Sequence, residues 1–349
     1  MIWGLTISYK DNMSRTIRAA AAVLAAVFVI TLVTALSLNI STRAETSGTA
    51  PAVLIDKGTR KISKTFTISS DSVIPEGAVL YVRNGGRLYI KSGAELILNG
   101  TLKIASGGSV FVQGDVSCGE GSLISATGKI KILKAGTVSL GGTMKVNKGG
   151  NVCGLGTLKV LNNFSDISCK GTVTAKIKAP APVETDGVTT VGGVIIVNRE
   201  FDLPKDYGSG LDESTYDAYL KMKKASGYDM SIVSGFRSYE KQKATFAYWE
   251  SIDGFERADR YSAQPGHSEH QTGLAMDISS LKQSYGETDE GKWLAANCWK
   301  YGFLLRYPKN SEHITGYIYE PWHVRYLGTS TAKLVHDSGL TLEEFLGVY

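Results

Sequence analysis

Residues 77–116 read GAVLYVRNGGRLYIKSGAELILNGTLKIASGGSVFVQGDV, and this stretch decides the fold of the first half of the chain. Glycines recur at Gly77, Gly85, Gly93, Gly100, Gly107 and Gly114, seven or eight residues apart. Between them stand alternating apolar pairs: Leu80/Val82, Leu88/Ile90, Leu96/Leu98, Leu102/Ile104 and Val110/Val112. Successive side chains of a strand point to opposite faces, so a period of two predicts short strands with one buried face. The glycines predict a tight turn at each corner. Strands this short and this closely spaced build a β-solenoid or a meandering sheet. Looser copies at 128–146 and 156–160 extend the all-β repeat domain to residues 58–178. Units of this kind bury a core only by stacking on one another.

Working outward, residues 77–178 hold thirteen lysines and arginines against four acids, whereas the whole chain of 349 residues carries only +5. A basic solenoid outside a membrane would hold anionic wall polymers or lipid headgroups through its ammonium groups. Equally, lysines blunt strand edges and keep a repeat soluble. Nothing in the chain calls for a nucleic-acid partner. Hydrophobic residues make up 43% and charged residues 20%, enough for packed cores and too apolar for wholesale disorder.

Upstream, residues 19–38 form an uncharged run, Ala-rich and then Val/Leu/Ile-rich, behind Lys10, Arg15 and Arg18. Residues 1–45 therefore read as a cytoplasmic flank plus a signal peptide or membrane anchor. The run is long enough to span a bilayer, while Thr42-Arg43-Ala44 offers small residues for cleavage. Either way the basic flank stays inside and the remainder is extracytoplasmic. Of the four cysteines, Cys118, Cys153 and Cys169 fall in the repeat with their pairing open, and Cys298 reads as a core thiol.

Downstream, residues 179–187 contain Pro180 and Pro182 and read as a semi-rigid linker. Residues 188–349 differ in composition, with aromatic residues, helical patterns and all five histidines. Helices are expected at 214–225, 239–249 and 288–300, and strands at 230–233, 274–278, 317–319 and 324–327, the last two interrupted at Pro321. Thr341 with Glu344 forms a capping-box pattern ahead of a final helix. Elements interleave without a regular βαβ rhythm, so this second domain is α+β.

The chemistry concentrates in Ser268-Glu269-His270-Gln271-Thr272-Gly273-Leu274-Ala275-Met276-Asp277 and Glu320-Pro321-Trp322-His323. Catalytic zinc takes three protein ligands and leaves a position for water. His270, Asp277 and His323 would fill those places, and Glu320 would remain as the base that activates a zinc-bound water. Alternation along the strand puts Asp277 opposite Met276 and Ile278, free to face a metal. A regular strand would put Glu320 and His323 on opposite faces, so a distortion at Pro321 is needed to aim both inward. The set is not the HExxH helix of zincins. The spacing also differs from non-haem iron oxygenases, where the carboxylate follows the first histidine by two residues. His267, His313 and His336 have no matching partners.

These residues resemble the VanY family of zinc D-alanyl-D-alanine carboxypeptidases. The family pattern SxHxxGxAxD is met by Ser268, His270, Gly273, Ala275 and Asp277, and ExxH by Glu320 and His323. VIIVNREFDLPKDY at 194–207, SGFRSY at 234–239 and RYPKNSEHITGYIYEPWHVRYLG at 306–328 extend the resemblance over about residues 190–330 and leave the solenoid outside it. The resemblance implies zinc on His270, Asp277 and His323, with Glu320 as general base and then proton donor. It implies Arg237 at the developing oxyanion or the substrate, Ser268 on the terminal carboxylate and Gln242 on the peptide. The implied substrate is a peptidoglycan stem peptide ending in D-Ala-D-Ala. Rivals are a related L,D-carboxypeptidase, dipeptidase or endopeptidase of the wall, and a non-catalytic wall-binding protein.

Overall fold

In the computed structural model, which describes residues 50–349, the repeat folds as a three-faced parallel β-solenoid. The expected membrane or signal segment at 19–38 lies outside the described residues. One face holds seven strands, from Ala52–Val53 to Lys176–Lys178, and the other two hold six each. Neighbours within a face are three strands apart in sequence and parallel, which rules out the meander. Their register carries no offset, so identical positions stack from turn to turn. On one face Leu96, Val116, Val138 and Leu158 are direct neighbours. On the others the ladders are Leu80–Leu102–Ile124–Met144 and Leu88–Val110–Ile130–Val152. All of these side chains are buried, each contributing about 1.5–3 kcal/mol of apolar transfer.

Corners are tight because backbone meets backbone there. A Cβ at Gly114 would lie 2.2 Å from the carbonyl oxygens of both Lys91 and Ala94 in the preceding turn. No side chain fits in that space, so the repeat needs glycine at this corner.

Beyond the solenoid, the stretch expected to be a linker enters the strand Val183–Thr185, which pairs antiparallel with Val188–Val191 and then Val194–Ile195. Val191, Val194 and Ile196 are buried against the solenoid core. The following domain is built on a four-stranded antiparallel sheet ordered Ile232–Ser234, Ala275–Ile278, Glu320–Tyr326, Phe303–Tyr307. The helices Glu213–Ser226 and Asp289–Asn297 cover one face, packing Met222 and Leu294 against Met276, Ile278 and Val324. Asp212 caps the first of these helices, its carboxylate accepting from the Thr215 amide at 2.9 Å. The other face of the sheet is left for the functional site.

Two sequence expectations need correction here. Residues 317–319 are not a strand: Gly316 ends a short helix, and Thr315 Oγ1 accepts from the Tyr317 amide and donates to its carbonyl. Pro321 does not break the last strand either, which runs continuously from Glu320 to Tyr326.

The C-terminal helices Thr329–Ser338 and Leu342–Leu346 join the two parts. Leu334, Val335, Leu342, Phe345 and Leu346 belong to the same buried cluster as the solenoid ladders. The Phe345 ring lies 4.9 Å from that of Phe164, at the end of the stack. The capping box of the last helix is present, with the Thr341 and Glu344 side chains bonding each other's backbone amides. Solenoid and C-terminal domain thus form one compact unit over residues 51–349.

Candidate metal centre and catalytic cleft

The strands Ala275–Ile278 and Glu320–Tyr326 lie side by side with Asp277 directly opposite His323. Against its other neighbour, the second strand carries two extra residues between the pairs Leu305–Val324 and Tyr307–Glu320. This bulge spans Pro321, where the missing N–H makes a ladder break cheap. It turns both Glu320 and His323 into one cleft of about 360 Å³, as the spacing requires.

His270 arrives from the turn Glu269–Thr272, which ends at Gly273 with φ 71°. Only glycine suits that position, because a Cβ would also stand 2.3 Å from the Gly210 carbonyl oxygen. Thr272 reinforces the turn by donating to the Glu269 carbonyl and accepting from the Leu274 amide. His270 is thereby folded back over the strand that carries Asp277.

His270, Asp277 and His323 offer ligand atoms that all lie within 4.8 Å of one another. His270 Nδ1–H donates to the Gly235 carbonyl at 2.7 Å, so its Nε2 lone pair faces Asp277 Oδ2 at 3.2 Å. His323 Nε2–H donates to Glu269 at 3.4 Å, so its Nδ1 lone pair faces Asp277 Oδ1 at 3.1 Å. Two ring lone pairs and a carboxylate therefore converge on one point. Asp277 Oδ1 is buried with no hydrogen-bond donor. A site this rich in lone pairs and this dry calls for a cation, and two imidazoles with a carboxylate suit zinc. The residues present fit the metal.

The electrostatics agree. Burial works against ionising Asp277, but His270 and His323 overcome it and hold the carboxyl far below the usual range. Burial disfavours charge on His323 as well, yet Asp277 and Glu269 outweigh it and push the ring up to about 9. A proton and a metal ion would compete for the same Nδ1 lone pair beside Asp277. His270 is instead held below its ordinary value, burial outweighing Asp277. Burial pushes the Glu320 carboxyl up to about 8, against the attraction of His323 and with the repulsion of Asp277. Glu320 Oε2 lies 3.7 Å from His323 Nδ1, beside the point of convergence.

Arg237 and Ser268 both line the cleft. The Arg237 guanidinium is braced from behind, Nη1 donating to Gln242 Oε1 and Nη2 to Ser234 Oγ, each at 2.8 Å. Gln242 is fully buried, with its Nε2 donating to the Ala263 carbonyl. Its amide is therefore engaged by Arg237 and the Ala263 carbonyl, and Gln242 is not among the residues that line the cleft. His267 is turned away, its Nδ1–H donating to the Asn198 carbonyl. Aromatic walls from Trp249, Tyr261, Tyr307, Tyr317 and Trp322 close the cleft. All four cysteines are free, and Cys298 is buried as a core thiol, its burial pushing the thiol up to about 12.

Sequence reasoning missed Glu269. It is 1% exposed and lies between Arg306 Nε at 2.8 Å and Arg325 Nη1 at 2.7 Å while receiving His323. Burial raises its carboxyl, but the two guanidinium groups overcome this and keep it ionised. The available signal was an acid directly before His270 together with Arg325 two residues after His323.

A family model described as VanY, D-alanyl-D-alanine carboxypeptidase, matches residues 209–329, which exclude the solenoid. The chain is 40% identical over 194 residues to the putative carboxypeptidase YodJ of Bacillus subtilis (strain 168), covering 46% of this chain and 71% of that protein. It is 32% identical over 151 residues to VanXYC, a bifunctional D-Ala-D-Ala dipeptidase and D-Ala-D-Ala carboxypeptidase of Enterococcus gallinarum, covering 38% and 80%. Among solved structures, the LdcB LD-carboxypeptidase aligns at 39% identity and a TM-score of 0.44, covering 48% of this chain and 93% of that one.

Proposed function

The chain belongs to the VanY family of D-alanyl-D-alanine carboxypeptidases and is a peptidase, and from that premise we propose that it removes the terminal D-alanine of peptidoglycan stem peptides at a zinc site. The observation that carries this reading is the convergence of His270, Asp277 and His323 on a point with an undonated buried carboxylate oxygen. Zinc held there would supply Lewis acidity, lowering the pKa of water toward about 7 and polarising the scissile carbonyl.

The chain's own groups do the rest. Glu320 Oε2 takes the proton of the attacking water and delivers it to the nitrogen of the departing D-alanine. Arg237, braced by Gln242 and Ser234, turns its remaining N–H donors to the oxyanion or the substrate carboxylate. Ser268, 4% exposed at the cleft floor, binds the terminal carboxylate through its hydroxyl. Trp249, Tyr261 and Trp322 keep bulk water from the reacting atoms.

We place the enzyme outside the cytoplasm, with residues 19–38 as export signal or anchor, because the substrate lies there. The solenoid carries exposed lysines on its faces, Lys103 and Lys145 one turn either side of Ser125 and Lys131 on another face. Such rows suit an anionic wall polymer or lipid headgroups.

The reading is tested by offering the purified chain pentapeptide stems ending in D-Ala-D-Ala and tetrapeptide stems ending in one D-Ala, with and without chelator. D-alanine is expected from the pentapeptide, stopped by chelation and restored by zinc. Release from the tetrapeptide alone would overturn the D,D assignment.

A further inference from the structure

Glu343 lies outside the cleft, on the helix Leu342–Leu346 that fastens the peptidase to the solenoid, yet it is 1% exposed. Its carboxylate receives both terminal nitrogens of Arg306, with Nη1 at 2.9 Å. Arg306 is wholly buried, and its third nitrogen, Nε, donates to Glu269 at 2.8 Å. Glu269 in turn receives Nε2 of His323. Arg306 also stacks over Tyr307, whose ring lies 4.9 Å from that of His323. A chain of buried hydrogen bonds therefore leads from Glu343, on the helix whose Phe345 packs on Phe164 at the solenoid end, through Arg306 and Glu269 to the His323 imidazole.

We propose that Glu343 is a positioning residue for His323, acting through Arg306 and Glu269, so that the helix docked on the solenoid helps set the metal site. The inference rests on the reading of His270, Asp277 and His323 as a zinc site. Its logic is a charge balance. Two carboxylates, Glu269 and Glu343, face two guanidinium groups, Arg306 and Arg325, where water does not reach. A buried guanidinium holds whatever counter-charge remains to it. With Glu343 neutralised, Arg306 has only Glu269, and it draws that carboxylate away from His323. The His323 contact, at 3.4 Å, is the longest that Glu269 makes and so the first to fail. The bond from Nε2–H is what leaves the Nδ1 lone pair aimed at the metal, and losing such a partner weakens metal binding by about 10–100-fold.

The test uses the full chain, reading zinc affinity by competition with a chelator and the visible spectrum of the cobalt(II)-substituted protein. Glu343→Gln keeps the shape and removes the charge. Glu343→Asp keeps the charge with a shorter reach. Leu294→Ala weakens the peptidase core away from the network. Glu343→Gln is expected to bind zinc about ten-fold more weakly and to shift the cobalt bands, Glu343→Asp to fall between it and the wild type, and Leu294→Ala to lower the melting temperature while leaving both metal readouts in place. Wild-type affinity and spectrum in Glu343→Gln would overturn the proposal, as would an equal loss of affinity in Leu294→Ala. Should Glu343→Gln not fold, Glu343→Asp decides: weakened zinc binding supports the relay and wild-type binding refutes it. A wild-type chain that takes up neither metal refutes the zinc site itself, and the relay falls with it.

Discussion

At the scale of single residues, the site works because each imidazole has one nitrogen committed elsewhere. Gly235 holds His270 and Glu269 holds His323, and the lone pairs left over can point only at Asp277. Among the described residues that line the cleft, Glu320 is the carboxylate with no such commitment, and in the proposed mechanism it moves the protons. Glu320→Gln is expected to lower turnover by about 10²–10⁴-fold with one zinc per chain retained, as measured by D-alanine release and metal analysis. Unchanged turnover would remove Glu320 from the mechanism. The convergence of His270, Asp277 and His323, with Glu320 beside them, was legible in the sequence because each sits in a short local pattern whose spacing fixes where it points. Glu269 and Gln242 were not legible in the same way. Their roles come from Arg306, Arg325 and Arg237, and the first two reach the site only through folding over 37 and 56 residues of chain. Sequence alone does not show that the Gln242 amide is engaged by Arg237 and the Ala263 carbonyl.

At the scale of elements, two irregularities place the chemistry. The bulge at Pro321 brings Glu320 and His323 to one side, and the left-handed glycine after the turn Glu269–Thr272 returns His270 to Asp277. Both were readable in the sequence, because proline and glycine have few uses inside a sheet. The solenoid was readable from its period of two and its spaced glycines. What the period could not give was the choice between solenoid and meander, which depends on whether strands pair with their next or their third neighbour. Residues 317–319 misled because alternating tyrosines imitate a strand, while Thr315 and Gly316 had already bent the chain. The corner at Gly114 supplies a test of the stacking. Gly114→Ala forces a methyl group against two carbonyl oxygens and is expected to cost at least about 1–3 kcal/mol, read from urea unfolding. An unaltered midpoint would contradict the close approach of successive turns.

At the scale of the whole molecule, solenoid and peptidase share one buried cluster and are not beads on a string. The sequence shows a proline-bearing spacer between two compositions, which leaves open how the two parts pack. The apolar side of the last two helices supplies the contact, since Leu334, Val335, Leu342 and Phe345 share one buried cluster with the solenoid. Calorimetry of the full chain is expected to show a single unfolding transition, with solenoid and peptidase signals lost together. Two separated transitions would mean that the interface contributes little. Because the far end of the stack is closed by these helices, extra turns can be accommodated within the run of rungs without disturbing the cleft. From Ala52–Val53 to Lys176–Lys178 there are six steps of one strand spacing on the seven-stranded face, about 29 Å at ~4.8 Å each. Each turn gained or lost by the gene would lengthen or shorten that column by one such step, so the solenoid is a ruler with fixed graduations whose length can change without touching an atom of the cleft.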